Sequence, residues 1–191
     1  MRAGGKNGER FEIKLSMSSF EREGEATLTI HDDKNCLASL TFSMMTFQKK
    51  QTGLSADCRV ASRSTSHNVI KEATKACHGL FPKRLLVEML QLISGEIAVP
   101  QIIAVGDKSY VFQSARHRGS KQKVFLAHYD DFWASVEGVA LTGGLYALPQ
   151  RMTRKSIDDL PSKKRAEYRR RFALLEDMQA QFAAFIHTTE A

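Results

Sequence analysis

Between about Pro82 and Ser94 the chain carries Leu85, Leu86, Met89, Leu90 and Ile93 on one helical face, and Val87 and Leu92 widen that stripe. A helix apolar around so much of its circumference must be covered on more than one side, so it belongs at the centre of a core. Pro82 suits its first turn, where the missing N–H would have had no partner. A second helix precedes it from His67 to His78, with Ser66 placed to cap it and Gly79 to stop it. The rest of the fold has to be arranged around this pair.

What covers the helices is legible upstream. Phe11, Ile13 and Leu15 alternate with Glu12 and Lys14, and Leu28 and Ile30 alternate with Thr27 and Thr29. Period two of this kind marks strands with one buried face, over Phe11–Met17, Ala26–His31 and Leu37–Met45. The turn residues of His31-Asp-Asp-Lys-Asn35 join the last two, so an antiparallel meander is expected. Residues 48–66 show no clear period and read as a loop, with at most a short strand near Cys58–Ala61. Val99–Val105 is an almost unbroken apolar run that suits a central strand. Asp107 is placed to cap a short helix reaching about Arg116, and Val124–His128 reads as a further strand. Gly143-Gly144 breaks the chain before Leu145–Pro149, and the last helix begins near Ser162. The expected fold is α+β: one domain over residues 11–191, a mostly antiparallel sheet with packed helices, behind a flexible, glycine-rich stretch at 1–10.

The 191 residues suffice for one good core. Cys36, Cys58 and Cys77 are odd in number and lack C-x-x-C spacing, which argues against a disulfide framework and a cysteine zinc site and fits a reducing, cytoplasmic setting. The opening MRAGGKNGERFEIKLS lacks the apolar core of a secretory signal, and no apolar run approaches the ~18 residues of a spanning helix. Contact with a membrane would be made from its surface. Neither H-x-x-x-H nor H-E-x-x-H occurs, and no P-loop or nucleophile elbow is recognisable.

Charge is concentrated late in the chain. The net charge is +7, and the segment from Arg151 to Arg171 holds a surplus of six positive charges by itself. Lys163, Lys164, Arg165, Arg169, Arg170 and Arg171 form a cationic front at the start of the last helix. Leu175, Met178, Phe182, Phe185 and Ile186 then make an apolar stripe, so the helix reads as basic and amphipathic. Cations sit badly at a helix N-terminus. The front is therefore a candidate site for an anionic partner, foremost an anionic membrane surface. Nucleic acid ranks below it, because only Tyr168 and Phe172 could stack on bases. The competing view is a solvated face on which Glu167 pairs with Lys163, Lys164 or Arg171. His128-Tyr-Asp-Asp131 places a titratable imidazole beside Asp130 and Asp131, the arrangement of a general base; the alternative is that Asp130 or Asp131 caps a short helix containing Phe132 and Trp133. Lys83 and Arg84, also at a helix start, call for acidic partners, with Asp130 or Asp131 as candidates.

From Ile70 to Leu175 the chain resembles the bacterial VirK/YbjX family. The resemblance is carried by Lys71-Glu-Ala-Thr-Lys75, His78-Gly-Leu-Phe-Pro-Lys-Arg-Leu-Leu-Val-Glu88, Ile103-Ala-Val105, Ala127-His-Tyr-Asp-Asp-Phe-Trp133 and the PSKKRAEYRRRFALL run. It implies a link to virulence, envelope integrity and resistance to cationic antimicrobial peptides. Relative to that family the chain looks short by an N-terminal region, and the family's glycine-rich strand end falls at GLSADCRVA, Gly53–Ala61, which does not match. The order of strands and helices is also similar to that of the acyl-CoA N-acyltransferase (GNAT) fold. That similarity implies a CoA thioester whose phosphates meet Arg59, Arg63, Ser64, Thr65 and Ser66, although Phe112 stands where the tyrosine acid of such enzymes is sought. Two functions are thus expected: a VirK-like cytosolic accessory factor, peripheral on the inner membrane and binding anionic partners through its basic helix; or acyl or aminoacyl transfer with His128 as base.

Overall fold

Helix α2 (Pro82–Glu96) forms where the apolar stripe places it, and Leu85, Leu86, Val87 and Leu90 are completely buried. The computed structural model describes residues 1–18, 24–47, 51–60, 65–109 and 129–189. Helix α1 (His67–Ala76) precedes α2, capped as expected by Ser66, whose hydroxyl accepts a hydrogen bond from the Val69 N–H at 3.4 Å. The two helices lie on a mixed sheet that α2 crosses from its third to its sixth strand. Burying each of the α2 leucines contributes on the order of 2 kcal/mol.

The sheet comprises β1 (Arg2–Gly4), β2 (Arg10–Met17), β3 (Ala26–His31), β4 (Cys36–Phe47), β5 (Gln51–Val60), β6 (Gln101–Val105), β7 (Val139–Leu141) and β8 (Leu145–Leu148), in the spatial order β1-β2-β3-β4-β5-β6-β8-β7. All neighbours are antiparallel except β5 and β6, which are parallel. Register explains the period-two pattern. Ile13, Ile30 and Ala38 lie in one row, Leu28 faces Leu40, and Leu54, Ile102 and Leu148 lie in another, all buried. Thr27 and Thr41 oppose each other across β3 and β4, with their hydroxyls bonded at 3.0 Å. Two further helices, α3 (Tyr129–Ser135) and α4 (Ser162–Thr189), complete the described architecture.

Four expectations need correction. Residues 51–60, expected as mostly loop, form a ten-residue strand registered along its whole length against β4. Leu54, Ala56, Cys58 and Val60 do alternate with Ser55, Asp57 and Arg59, but Ala and Cys carry too little apolar surface for the alternation to stand out. The first residues, expected to be frayed, include an edge strand: Ala3 is buried, and the terminal amine donates to the Ile13 carbonyl at 2.9 Å. Gln181 of α4 bonds both the N–H (2.9 Å) and the carbonyl (2.7 Å) of Arg2, which covers polar groups that an edge strand otherwise exposes. Strand β7 was not anticipated. It joins β8 through Gly143 and Gly144, both at positive φ as a tight hairpin turn demands.

The last correction concerns Lys83, and for Arg84 only which acid partners it. The Lys83 ammonium is buried over the rings of Phe132 (5.0 Å) and Tyr129 (5.5 Å), whose faces take the place of a carboxylate. Arg84 meets Glu88 one turn on at 3.8 Å; burial pushes the Glu88 carboxyl above its ordinary range, against the pull of Arg84. The helix expected from Asp107 to Arg116 begins as a single 3₁₀ turn, Asp107–Ser109. The remainder, Phe112 and the expected strand Val124–His128 lie outside the described residues.

Helix α4 is joined to α1 by one junction. His78 and Gly79 both adopt left-handed backbone, ending α1 with the Gly79 N–H donating to the Thr74 carbonyl at 2.8 Å. The His78 carbonyl, turned outward by this geometry, accepts from Arg171 Nε (3.1 Å) and Nη2 (2.9 Å). A Cβ on Gly79 would fall 2.6 Å from Arg171 Nη2 and 2.7 Å from Glu167 Oε1. Gly79→Ala should therefore lower the urea midpoint, destabilising by about 1–3 kcal/mol through φ strain and displaced α4. Nearby, burial pushes the Cys77 thiol up to about 12. Iodoacetamide at mildly alkaline pH should leave Cys77 unmodified in the folded chain and alkylate it in concentrated guanidinium, as read by peptide mass mapping.

Candidate functional site

The two parallel strands part company at one end. β5 and β6 are paired from Gly53↔Gln101 to Ala56↔Ala104. Beyond that point β5 stays bonded to β4 as far as Val60, while β6 stays bonded to β8 through Val105. The neighbours thus stop bonding to each other while each keeps its outer partner, leaving a fork at their carboxyl ends. Such a crevice is where sheets with parallel strands commonly hold ligands. One prong leads to α1, the other to Gly106 and Asp107.

The residues singled out from sequence distribute around this fork unevenly. Arg59 lies near the end of β5, opposite Ser39, and Arg63, Ser64 and His128 lie outside the described residues. The Thr65 hydroxyl donates to the Cys36 carbonyl at 3.2 Å, tying the entry of α1 to the start of β4. Asp130 and Asp131 open α3. Asp131 is exposed, whereas the Asp130 carboxylate accepts the Asp107 N–H at 2.9 Å. Asp107 returns the contact, accepting the Tyr129 N–H at 3.1 Å. This reciprocal pairing locks the start of α3 to the end of β6, and Trp133 reinforces it by donating to the Val105 carbonyl at 2.9 Å. The expected cap of α3 by Asp130 or Asp131 is not what forms: Asp107 accepts the N–H of its first residue, and Asp130, inside the first turn, bonds Asp107 instead.

Two participants at this end, Tyr146 and Gly106, were not found from sequence, and Asp107 was read only as the cap of the helix that follows it. The Tyr146 phenol is hydrogen-bonded to Asp130; desolvation and the adjacent carboxylate raise it above the ordinary phenol range. Tyr146 reaches this place because β8 pairs with β6, with Tyr146 opposite Ala104. Gly106 makes the cluster possible, because a Cβ there would fall 2.5 Å from Asp130 Oδ1 and 2.7 Å from the Gly144 carbonyl oxygen. Asp107 and Gly106 had one available signal, their position directly after a central strand. Tyr146 had none, since a β6–β8 pairing skips β7.

The cationic front divides in two. Arg165 donates to the carbonyls of Leu160 (2.9 Å) and Asp158 (3.1 Å), fixing the turn before α4. Arg171 is held by His78, pairs with Glu167 at 3.3 Å and lies 4.2 Å over the Tyr168 ring. Lys163, Lys164, Arg169 and Arg170 are exposed and make no ion pair among the described residues. Downstream, Leu174, Leu175 and Met178 are buried, Phe182 is half-buried and Phe185 is exposed. Among the described residues no helix is long and apolar enough to cross a membrane.

Comparison with known proteins places this architecture in a family. Residues 1–184 match the model of the family described as "Protein of unknown function (DUF535)". The uncharacterised protein YbjX of Escherichia coli is 41% identical over 181 residues, covering 94% of this chain and 54% of its own length. Two uncharacterised proteins of Haemophilus influenzae are 27% and 31% identical over 171 residues each. The chain spans about half the length of these relatives, matching 56% of one Haemophilus protein and 55% of the other. The chain belongs to the DUF535 family, together with YbjX.

Proposed function

We propose that this domain is a GNAT-like acyl or aminoacyl transferase fold that receives a CoA-type thioester at the fork between β5 and β6. The observation that carries this reading is the lone parallel pair, whose bonding ends at Ala56 and Ala104 while both outer ladders continue. The order strand, helices, strand, short helix and strand after the meander is one that GNAT proteins also follow. In this reading the β5–α1 connection, with Arg59, Arg63, Ser64, Thr65 and Ser66, meets the donor's phosphates, because free N–H groups and the helix dipole at α1 favour anions. His128 acts as the base, beside Asp130 and Asp131. Tyr146, its proton held toward Asp130, is a second proton-carrying group at the same end of the sheet. Acetyl-CoA and longer acyl-CoAs should raise the melting temperature, and Arg63→Glu should remove the shift. Absence of stabilisation by every CoA species tested rejects the reading.

A second reading rests on α4. Lys163, Lys164, Arg169 and Arg170 lie exposed, the two lysines in the first turn where the helix dipole disfavours them, and the four form no ion pair with carboxylates among the described residues. Near an anionic lipid surface each adds on the order of 1 kcal/mol. That would bring a cytosolic domain to the inner membrane, in keeping with the envelope and peptide-resistance role implied by the family resemblance. Co-sedimentation with phosphatidylglycerol vesicles should be salt-sensitive and absent with phosphatidylcholine alone. Changing all four residues to Glu should abolish it, and binding unaltered by that change refutes the idea.

A further inference from the structure

A cleft of about 880 Å³ runs along α1, from Asn68 to Gly79. Its walls are the β1–β2 loop, the β3–β4 turn, the outer face of α1 and the first turns of α4. The volume is that of a site for a small molecule.

The acids lining it are mostly engaged by partners within the protein, whereas most of its cations are not in ion pairs. Glu9 is occupied by the backbone and side-chain amides of Asn7, at 2.7 and 3.2 Å. Asp32 accepts the N–H groups of Lys34 (2.8 Å) and Asn35 (2.6 Å) and the Asn35 amide. Glu72 pairs with Lys75 at 2.8 Å and Glu167 with Arg171 at 3.3 Å. Glu9 and Asp32 keep their negative charge, because their partners are neutral N–H groups, and Asp33 is a third acid of the lining. Alongside these stand Lys6, Arg10, Lys34 and Arg170, which line the cleft from three separate elements and form no ion pair among the described residues. The floor is apolar, made by Phe11, Val69 and Ala73. A cationic rim over an apolar floor suits a ligand with an anionic head and a less polar body.

We propose that this cleft binds a small organic phosphate, its phosphoryl group held by Lys6, Arg10, Lys34 and Arg170 and its body resting on Phe11, Val69 and Ala73. Guanidinium and ammonium groups outside ion pairs bond phosphoryl oxygens directly, whereas the Glu9 and Asp32 carboxylates already accept N–H groups of their own loops. His78 reports on the same field. Its left-handed backbone is held by the Arg171 bonds, and its ring shares the cleft. Burial and the positive charges of Arg170, Lys6 and Arg171 hold its imidazole below the ordinary range, against the opposing pull of Glu167. A bound dianion offsets those cations, so the imidazole titrates at higher pH in the complex. The site goes beyond both readings above: none of the residues assigned there to the thioester or to proton transfer lines it, and it shares only Arg170 with the lipid-binding surface.

The test is an NMR pH titration of His78, assigned with His78→Gln, on the full chain with glucose 6-phosphate, glucose, and vesicles of phosphatidylcholine with or without phosphatidic acid. Glucose 6-phosphate should move the His78 titration upward, and glucose should leave it unchanged. Lys6→Gln with Lys34→Gln, both on exposed loops and outside α4, should weaken binding about tenfold or more, as expected for a lost charge-assisted contact. Phosphatidic acid alone shifting His78, with the same loss in the double variant, retains the site and makes its phosphate a lipid headgroup. No shift with either phosphate source, or binding unchanged in the double variant, overturns the proposal. Loss of vesicle binding on reversing α4 with this titration intact would separate the cleft from the membrane reading.

Discussion

Burial of α2 against the sheet is the constraint on which the remaining structure depends. Leu85, Leu86, Val87 and Leu90 have no contact with water, and they meet Leu28, Ile30, Leu40, Leu54 and Ile102 from four strands. Because this face is apolar, its neighbours must satisfy their backbone groups within the sheet, which requires β5 to run as a full strand between β4 and β6. The parallel β5–β6 pair follows from the same packing. A chain leaving β5, crossing the sheet as α1 and α2 and returning beside β5 has to run in the same direction. The fork is thus a by-product of how the core is closed, available for a ligand without further distortion.

A second dependency runs through the end of α1. Two consecutive left-handed residues, His78 and Gly79, turn a carbonyl outward that would otherwise remain without a partner, and Arg171 supplies it. This contact sets where α4 lies. Arg171 belongs to the cationic run, yet its role is to join two helices. Arg165 likewise serves the turn before α4. A cationic run read as one feature therefore holds two populations, one committed to the protein's own carbonyls and one facing outward. The outward group continues at Arg170 into a cleft whose other cations outside ion pairs come from the start of β2 and from two of the sheet's loops.

The helices, the meander and the central strand were legible because their side chains are large and their periods regular. Leu85, Leu86 and Leu90 on one face, or Ile13 opposite Lys14, leave little choice of secondary structure. β5 was not legible, since the apolar side of its alternation is built mainly from Ala56 and Cys58, and its identity rests on hydrogen bonds to β4 and β6. The edge strand β1 was hidden for a related reason. Three residues containing two with little or no side chain carry no period, and Met1, Ala3 and Gln181 hold them by contacts that span the whole chain. At the candidate site Asp107 was recognisable as a helix cap, whereas its service to α3 and the partnership of Asp130 with Tyr146 depended on segments that are not adjacent in sequence.

Local periods and contiguous motifs were enough to read an α+β fold with α2 in its core, a capped α1, a last helix that opens on Lys and Arg, and membership in the family. Long-range packing settles which cations bind carbonyls, that β5 and β6 part at their ends, and that Lys6, Lys34 and Arg170 surround one cleft. Those facts depend on the register and docking of segments far apart in the chain, and no local pattern of side chains carries that information.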